Sequence, residues 1–334
     1  MDSFDIPVVL FLFKRKDATL RVIDRVRERA PRRMYLLSDA GRNQAERSLV
    51  SDVRSEAEKA IDWDCEVIKH YASENRGVFK NIGLGAKWVF EREKCAIFLE
   101  DDNVPEVTFL DYCRELLTRY ERSPEVLWIC GTNYLEDYTP SNGADYMFTG
   151  HLLPCGWASW AAKFNQYYDV DLASAEDPAV ISQVRSRYEN KSLFRQQLRS
   201  VQAERQRFKQ GLDFISWDYH MAWTLRKHNL LGISPARNQI KNIGADEHAE
   251  HGGTSLELEM TQRFCGMDSL ALPLPLRHPA EIVPDKNYER KIAKIILLPT
   301  SARLKTTVRL LLGKIFRINN ETSITASLRG MLRR

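Results

Sequence analysis

An apolar run ending in three consecutive carboxylates constrains this chain more than any other stretch: Cys95-Ala-Ile-Phe-Leu-Glu-Asp-Asp-Asn-Val-Pro105. Ala96 to Leu99 has the length and unbroken apolarity of a strand buried on both faces, as the strands of parallel sheets are. Glu100, Asp101 and Asp102 then put charge at its C-terminal end, the edge beyond which open α/β sheets bind ligands. Pro105 is expected to stop further sheet pairing. Adjacent carboxylates repel one another, and oxygen donors of this kind suit Mg²⁺ or Mn²⁺, ions that also hold substrate phosphates. A solvated acidic turn is the plain alternative.

The flanking sequence supports a sheet. Residues 6–13 read as a first buried strand, and a helix with Asp17 as N-cap runs to about Ala30. Met34 to Leu37, Cys65 to His70 and the acidic strand follow, separated by helices over Gln44 to Ala60 and Val78 to Glu91. This alternation predicts an α/β fold with a mostly parallel sheet flanked by helices. Further on, a helix is expected over Glu106 to Glu121, a strand over Val126 to Cys130, and functional loops over Gly131 to Phe164. A polar helical stretch over 178–210, a helix from Trp217 to His228 and a strand near Leu230 to Ser234 complete the body.

Charge divides the chain unevenly. The 334 residues carry +4 overall, yet Lys286 to Arg334 holds twelve Lys or Arg against Glu289 and Glu321, leaving the preceding residues at −6. An acidic body argues against a nucleic-acid-binding core. The six cysteines are scattered without a CxxC pair, which suits reduced thiols in the cytosol. The start of the chain reads as lacking a signal peptide, and no stretch reaches the ~18 apolar residues of a membrane span.

Several groups outside the acidic strand could do chemistry. Asp218, in Ser216-Trp-Asp-Tyr-His220, sits at a helix start whose dipole favours a carboxylate, and transfer to a hydroxyl needs such a proton acceptor. A structural helix-start Asp beside a packed Trp fits equally. His248 and His251 lie in a polar, Gly-flanked segment, Asn242 to Thr254, where they could be cation ligands or structural histidines. Asp39, after the second strand, could accept hydrogen bonds from a base or ribose. Asn75, Arg76 and Gly77 precede a helix whose N–H groups favour anions. Each also suits an ordinary turn. Trp157 and Trp160, in Gly156-Trp-Ala-Ser-Trp160, are either a sugar-stacking surface or lid, or core tryptophans.

Taken in order, these motifs resemble a nucleotide-sugar-dependent glycosyltransferase of the GT-A type, and more narrowly a bacterial family associated with surface polysaccharides. The resemblance is carried by Pro7-Val-Val-Leu-Phe with Arg15 after it, Asn75-Arg76-Gly77, Trp88-Val-Phe90-Glu91, and Phe98-Leu-Glu-Asp-Asp102 with Phe109 and Tyr112 behind it. It continues through Cys130-Gly131-Thr-Asn133, Gly156 to Trp160, Trp217-Asp218 and Asn242 to His251, covering about residues 6–255. The resemblance implies a GT-A domain over 1–260, with a nucleotide-binding half (1–131) and an acceptor half (132–260), and a linker and basic helical tail over 261–334. It implies that Glu100, Asp101 and Asp102 act as the DxD motif, with Asp102 the direct ligand of Mn²⁺ or Mg²⁺ and His251 a late metal or diphosphate ligand. Asp39 would read the base, and Asp218 would be the general base of an inverting transfer from a nucleotide-diphosphate sugar to a glycan or lipid-linked acceptor. The loop Arg76-Gly-Val-Phe-Lys80 is less Gly-rich than usual, and Cys155 precedes Gly156 where another Trp is common.

Two rivals stand beside this reading. A sugar-1-phosphate nucleotidyltransferase also sets carboxylates at strand ends, but its Gly-rich basic signature is missing from Phe13-Lys-Arg-Lys-Asp17. A non-catalytic carbohydrate-binding protein could use the tryptophans and a structural cation. Between Arg290 and Arg317, Ile and Leu interleave with Lys and Arg, and Pro299 splits the run into two short helices. They could lie on an anionic membrane, on the inner face of the plasma membrane, or pack on the domain.

Overall fold

Alternating apolar and polar segments build a sheet buried on both faces. A computed structural model describes residues 4–244 and 264–301. Its strands are β1 (Val8–Leu12), β2 (Arg33–Ser38), β3 (Glu66–Tyr71), β4 (Cys95–Glu100), β5 (Asn103–Pro105), β6 (Val126–Cys130), β7 (Tyr146–Thr149), β8 (Trp157–Trp160), β9 (Leu231–Pro235) and β10 (Ile240–Asn242). The helices are α1 (Lys16–Arg27), α2 (Gln44–Ala60), α3 (Gly85–Phe90), α4 (Phe109–Tyr120), α5 (Ala161–Tyr167), α6 (Pro178–Ser186), α7 (Lys191–Lys209), α8 (Asp218–His228) and α9 (Lys286–Ile296). A π-helical stretch, Phe79–Leu84, leads into α3.

Eight strands form one sheet in the order β3-β2-β1-β4-β8-β6-β9-β7. β3, β2, β1 and β4 run parallel, as do β6 and β9, while β8 is antiparallel to both β4 and β6, and β7 to β9. The period of two along each strand decides which layer a residue enters. Val8, Leu10 and Leu12 pack with α1, α2 and α4, whereas Val9 and Phe11 pack with α3 and α5 to α9. The mostly parallel, helix-flanked α/β fold expected from the sequence is therefore what the chain adopts.

Three local expectations are corrected. Pro105 does not end pairing, because β5 forms a small antiparallel ribbon with β10 in which Pro105 faces Ile240. An edge ribbon tolerates a residue without an N–H. Asp17 lies in the first turn of α1, which has no side-chain cap. Gly131 to Phe164 is not all loop, since it contributes two strands and Trp157 to Trp160 becomes an inner strand of the sheet.

The helix that opens the basic tail is part of the fold. Asp285 caps α9 by accepting from Asn287 N (2.9 Å) and Tyr288 N (3.0 Å). Tyr288 Oη donates to Asn133 Oδ1 at 3.0 Å, and Ile292 and Ile295 are buried. The apolar face of this helix is thus used against the domain. The remaining interleaved residues, Arg303 to Arg317, lie outside the described residues. No helix among the described residues is long and apolar enough to cross a membrane, and none of the six cysteines is in a disulfide.

Glu289 anchors α9 most firmly. Thr149 Oγ1 (2.5 Å), Gly150 N (2.7 Å) and Arg226 Nη2 (3.3 Å) all donate to its carboxylate. Arg226 Nη2 also donates to His151 Nδ1 at 3.1 Å, leaving Nε2–H to donate to Glu289 O at 3.2 Å, the pattern of a neutral imidazole. Burial lowers His151 to about 4. Burial by itself would raise Glu289, but His151, Arg226 and its other donors hold it at about 2.

Both native values lie below the ordinary ones, so both groups stabilise the fold at neutral pH and lose that contribution as pH falls. His151 loses it from 6.5 towards about 4 and Glu289 from 4.5 towards about 2. In urea unfolding the share of stability due to these two groups should therefore fall between pH 7 and 4, against the opposite trend of the carboxyls of Glu100 and Asp101, which the fold raises. Glu289→Gln should cost about 3 kcal/mol at pH 7, because Arg226 is left buried without its partner, and should lose less than wild type between pH 5 and 4.

Candidate functional site

The strand order reverses around β1. The chain steps from β1 outward to β2 and β3, then returns to place β4 on the other side of β1. Ligand crevices of open α/β sheets form at such a reversal, beyond the carboxyl ends of the strands. A cavity of about 510 Å³ opens there. Its wall includes Arg15 after β1, Asp39 after β2, Asn75 and Gly77 after β3, Glu100 to Asp102 after β4, and Asp218 from the start of α8.

The acidic turn is held by short, directed contacts. Phe13 N donates to Asp101 Oδ2 at 3.1 Å, tying the end of β1 to that of β4. Arg15 Nη1 lies 2.7 Å from Asp102 Oδ2 and 3.6 Å from Asp101 Oδ1. Its Nη2 donates to Gly244 O at 3.2 Å. Asp102 Oδ1 accepts from Asn103 Nδ2 (2.5 Å) and Asn242 Nδ2 (3.2 Å). The β5–β10 ribbon, which pairs Asn103 with Asn242, delivers both amides. Gly244 is required by proximity, since a Cβ there would lie 2.1 Å from Asp102 Oδ2.

Even with Arg15 present, the cluster is short of positive charge. Burial, and then the charges of Asp102, Asp101 and Asp218, push Glu100 well above the usual carboxylate range. Burial and Asp102 raise Asp101 to about 7 against the pull of Arg15. Asp102 is raised by burial, with Arg15 and Asn103 opposing.

Asp39 shapes the opposite wall. Its Oδ1 accepts from Ala40 N and Arg76 N, each at 2.8 Å, and its Oδ2 accepts from Gly77 N (2.9 Å) and Asn75 Nδ2 (3.1 Å). Gly77 takes φ +78°, which turns its N–H into this fan. The Arg76 guanidinium is near His70 Nε2 (3.3 Å) and Asn81 Oδ1 (3.5 Å). It is not part of the cavity wall, whereas Asn75, Gly77 and Asn81 are.

Asp218 begins α8, and the Ser216 hydroxyl donates to its carboxylate. The preceding residue, Trp217, lies 5.8 Å from Trp157 and 6.0 Å from Trp128, ring centre to ring centre. Trp157 itself stacks between Phe98 (3.9 Å) and Trp128 (4.2 Å). Trp160 is buried too, its indole N–H donating to Leu117 O at 3.0 Å. The structure thus corrects the expectation of Trp157 and Trp160 as a sugar-binding surface or lid. Strand β8 lies inside the sheet, so both rings fill the core and Trp157 supports the approach to Asp218.

Asp101 and Asp102 fit a hard cation: both carboxylates are oxygen donors, border the cavity, and carry charge that Arg15 only partly balances. Among the described residues, no group of three or more His, Cys, Asp or Glu side chains is arranged to hold a metal ion. Two carboxylates are nevertheless what Mg²⁺-type ions commonly take from protein when phosphates complete the shell. His248 and His251 lie outside the described residues. In the sequence, Arg15, Asn103 and Gly244 stand out only as parts of motifs, with no role of their own. The available signal was Arg15 itself, a cation just after a fully apolar strand in the same sheet as the acidic one.

No protein-family model and no curated protein matches the chain. Among solved structures, a mannosyltransferase from Pyrobaculum calidifontis in complex with GDP-Man and Mn²⁺ is similar at 10% identity and TM-score 0.34, over 66% of this chain and 69% of that one. A UDP-glucose pyrophosphorylase complexed with UDP-glucose is similar at 8% identity and TM-score 0.33, over 71% of this chain and 92% of that one. Likenesses this remote carry no argument about what the present chain binds.

Replacing Arg15 by Met keeps the packing of its stem and removes its charge. The acidic turn then loses its partner, and a cost of about 3 kcal/mol in urea unfolding at pH 8 is expected. Mn²⁺ should restore more stability to Arg15→Met than to wild type. No stabilisation of either protein by Mn²⁺ would show that the carboxylates are not a cation site.

Proposed function

We propose that the chain is a metal-dependent glycosyltransferase that moves a sugar from a nucleotide-diphosphate donor to a hydroxyl of a glycan or lipid-linked glycan. One observation carries this reading: Asp218 lines the same cavity as Glu100, Asp101 and Asp102, at the reversal of strand order. The acids alone would suit many phosphate enzymes. A further carboxylate across the cavity supplies what transfer to a hydroxyl needs, a base facing the reaction centre.

In this reading 1–131 is the nucleotide half and 132–260 the acceptor half. The nucleotide lies along the ends of β1, β2 and β3. Asp39, expected from the sequence to read the base, already accepts from four donors of its own and the neighbouring loop, and in this reading it acts by holding Asn75 and Gly77 on the wall. Glu100, Asp101 and Asp102 face the diphosphate, and His251 is assigned, on the motif resemblance alone, as a late metal or diphosphate ligand. When bound by Asp102 and Asp101, Mn²⁺ or Mg²⁺ would offset the charge that develops on the leaving diphosphate. Arg15 adds a second positive charge beside those oxygens. Asp218 accepts the acceptor's hydroxyl proton as the oxygen attacks the anomeric carbon from the face opposite the diphosphate, which inverts that centre. Bacterial surface polysaccharide synthesis in the cytoplasm, with the basic tail on the inner face of the membrane, is the setting that fits.

The test is a panel of UDP-, GDP-, CMP- and dTDP-sugars assayed with Mn²⁺ for release of free nucleotide. Slow hydrolysis of one class is expected even without acceptor. Pyrophosphate release from a nucleoside triphosphate and a sugar 1-phosphate would instead identify a nucleotidyltransferase, and sugar binding with no turnover a carbohydrate-binding protein.

Two substitutions separate the roles. Asp218→Asn should leave donor affinity near wild type and lower kcat by about 10²–10⁴-fold, the usual contribution of a general base; near-normal kcat would remove that assignment. Asp102→Ala should keep the far-UV dichroism and lose Mn²⁺-dependent nucleotide binding in calorimetry. Binding as tight as wild type would overturn its role as metal ligand.

A further inference from the structure

Helix α7 buries a carboxylate on its apolar face. Leu193, Phe194 and Val201 of this helix pack into the same core as Trp217 and Met221. Glu204 lies one turn beyond Val201, on the same side of the helix, and is only 2% exposed. A carboxylate in such a place is unfavourable unless hydrogen-bond donors meet it. The donors here are main-chain groups of the segment that leads into α8. Ile215 N donates to Glu204 Oε2 at 2.8 Å. The N–H groups of Ile215 and Ser216 both favour the charged carboxylate, against burial, which raises its affinity for a proton. Ser216 carries the connection onward: its hydroxyl donates to the Asp218 carboxylate and accepts from Tyr219 N at 3.1 Å. A chain of contacts thus runs from the body of α7, through two peptide groups and a hydroxyl, to a carboxylate on the cavity wall.

The segment 211–217 needs such an anchor, because it contains neither helix nor strand. It turns at Gly211, where φ is +77°. Phe214 is held among Phe208 (4.8 Å between ring centres), Phe79 (4.9 Å) and His220 (4.5 Å). Tyr168 Oη donates to Trp217 O at 3.1 Å. These contacts fix residues 214 and 217. Glu204 fixes the two peptides between them, and their orientation decides where the Ser216 hydroxyl points. The support is itself firm, since Asn190 Oδ1 caps α7 by accepting from Ser192 N (3.0 Å) and Leu193 N (3.1 Å).

We infer that Glu204 is a positioning residue for the transfer: by holding the peptides of Ile215 and Ser216 it aims the Ser216 hydroxyl at Asp218 and so sets the direction of that carboxylate in the cavity. A base must meet the proton it accepts in a narrow range of geometry, and small displacements of such a group are costly to rate. Glu204 acts on the base alone, because it belongs to α7 and is not part of the cavity wall. The role of Asp218 as base rests on the glycosyltransferase reading, whereas the anchoring of Ile215 and Ser216 by Glu204 does not.

The test is a kinetic cycle of Glu204→Met, Ser216→Ala and the double variant in the full chain. It follows Mn²⁺-dependent nucleotide release from whichever UDP-, GDP-, CMP- or dTDP-sugar the wild type hydrolyses. Methionine keeps the volume and suits the apolar face, so the unfolding midpoint should stay close to wild type. Each single variant should lower kcat about tenfold or more, towards the ~10²-fold that an ångström of misplacement costs. Donor affinity by calorimetry should not change. The double variant should be no slower than the slower single one, because both break the same chain of contacts. Glu204→Gln, which keeps an acceptor for Ile215 N, should recover part of the loss, and the cycle is read on it if Glu204→Met does not fold. Amide hydrogen exchange at Ile215 and Ser216 should quicken in Glu204→Met. Wild-type kcat in the Glu204 variant, losses that multiply in the double variant, weaker donor binding at unchanged kcat, or unchanged amide exchange each overturns the positioning role. Turnover by wild type with any of these results defeats this role alone. Quickened exchange with no turnover of any donor by wild type defeats the glycosyltransferase reading instead, and the anchor stands without it.

Discussion

The contact between Arg15 and the carboxylates of Asp101 and Asp102 is the interaction around which the site is organised. Parallel strands β1 and β4 end side by side, which crowds three acids beneath a cavity. Buried like charges at that spacing are costly unless a cation or a proton joins them. Arg15 supplies part of the compensation, Asn103 and Asn242 donate to Asp102, and Phe13 N donates to Asp101. The remaining imbalance appears as carboxyl groups that hold protons more tightly than usual. A turn built in this way stays poised to take up positive charge.

The rest of the architecture serves to keep that turn and Asp218 in register. The stack of Phe98, Trp157 and Trp128 runs through the middle of the sheet and meets Trp217, the residue before Asp218. The strand bearing the acids and the helix bearing the base therefore share one rigid aromatic core. On the far side, Glu289, Arg226 and His151 lock α9 against β7 and α8 through a buried network. Such networks are costly when half-satisfied and rigid when complete. Here it fixes the other end of the helix that begins with Asp218.

Much of the fold was legible because parallel strands leave an unmistakable mark. Val8 to Phe13 and Cys95 to Leu99 are apolar without interruption, and each is followed at once by charge. Element identity followed from those runs and from the helical spacing between them. The tryptophans were less legible. Gly-Trp-Ala-Ser-Trp is short, flanked by Pro and Gly, and reads as a loop until β4 and β6 close on either side of it. Pro105 misled for the same reason: a residue that cannot donate is excluded from an inner strand but tolerated in an edge ribbon, and only the partner strand tells which it is.

By itself the sequence determined an α/β chain with carboxylates at a strand end, because local apolar runs and the charges that interrupt them are properties of neighbouring residues. It determined also that a second carboxylate, Asp218, began a helix. The tertiary structure alone decided that these groups share a cavity, since residues 15, 102, 218 and 244 meet only through the reversal of strand order at β1 and the β5–β10 ribbon. It also decided that Trp157 is core and Arg15 is the partner of Asp102. Compensation of buried charge and burial of aromatic surface are satisfied across space rather than along the chain, and spacing in sequence carries no record of which distant residue satisfies them.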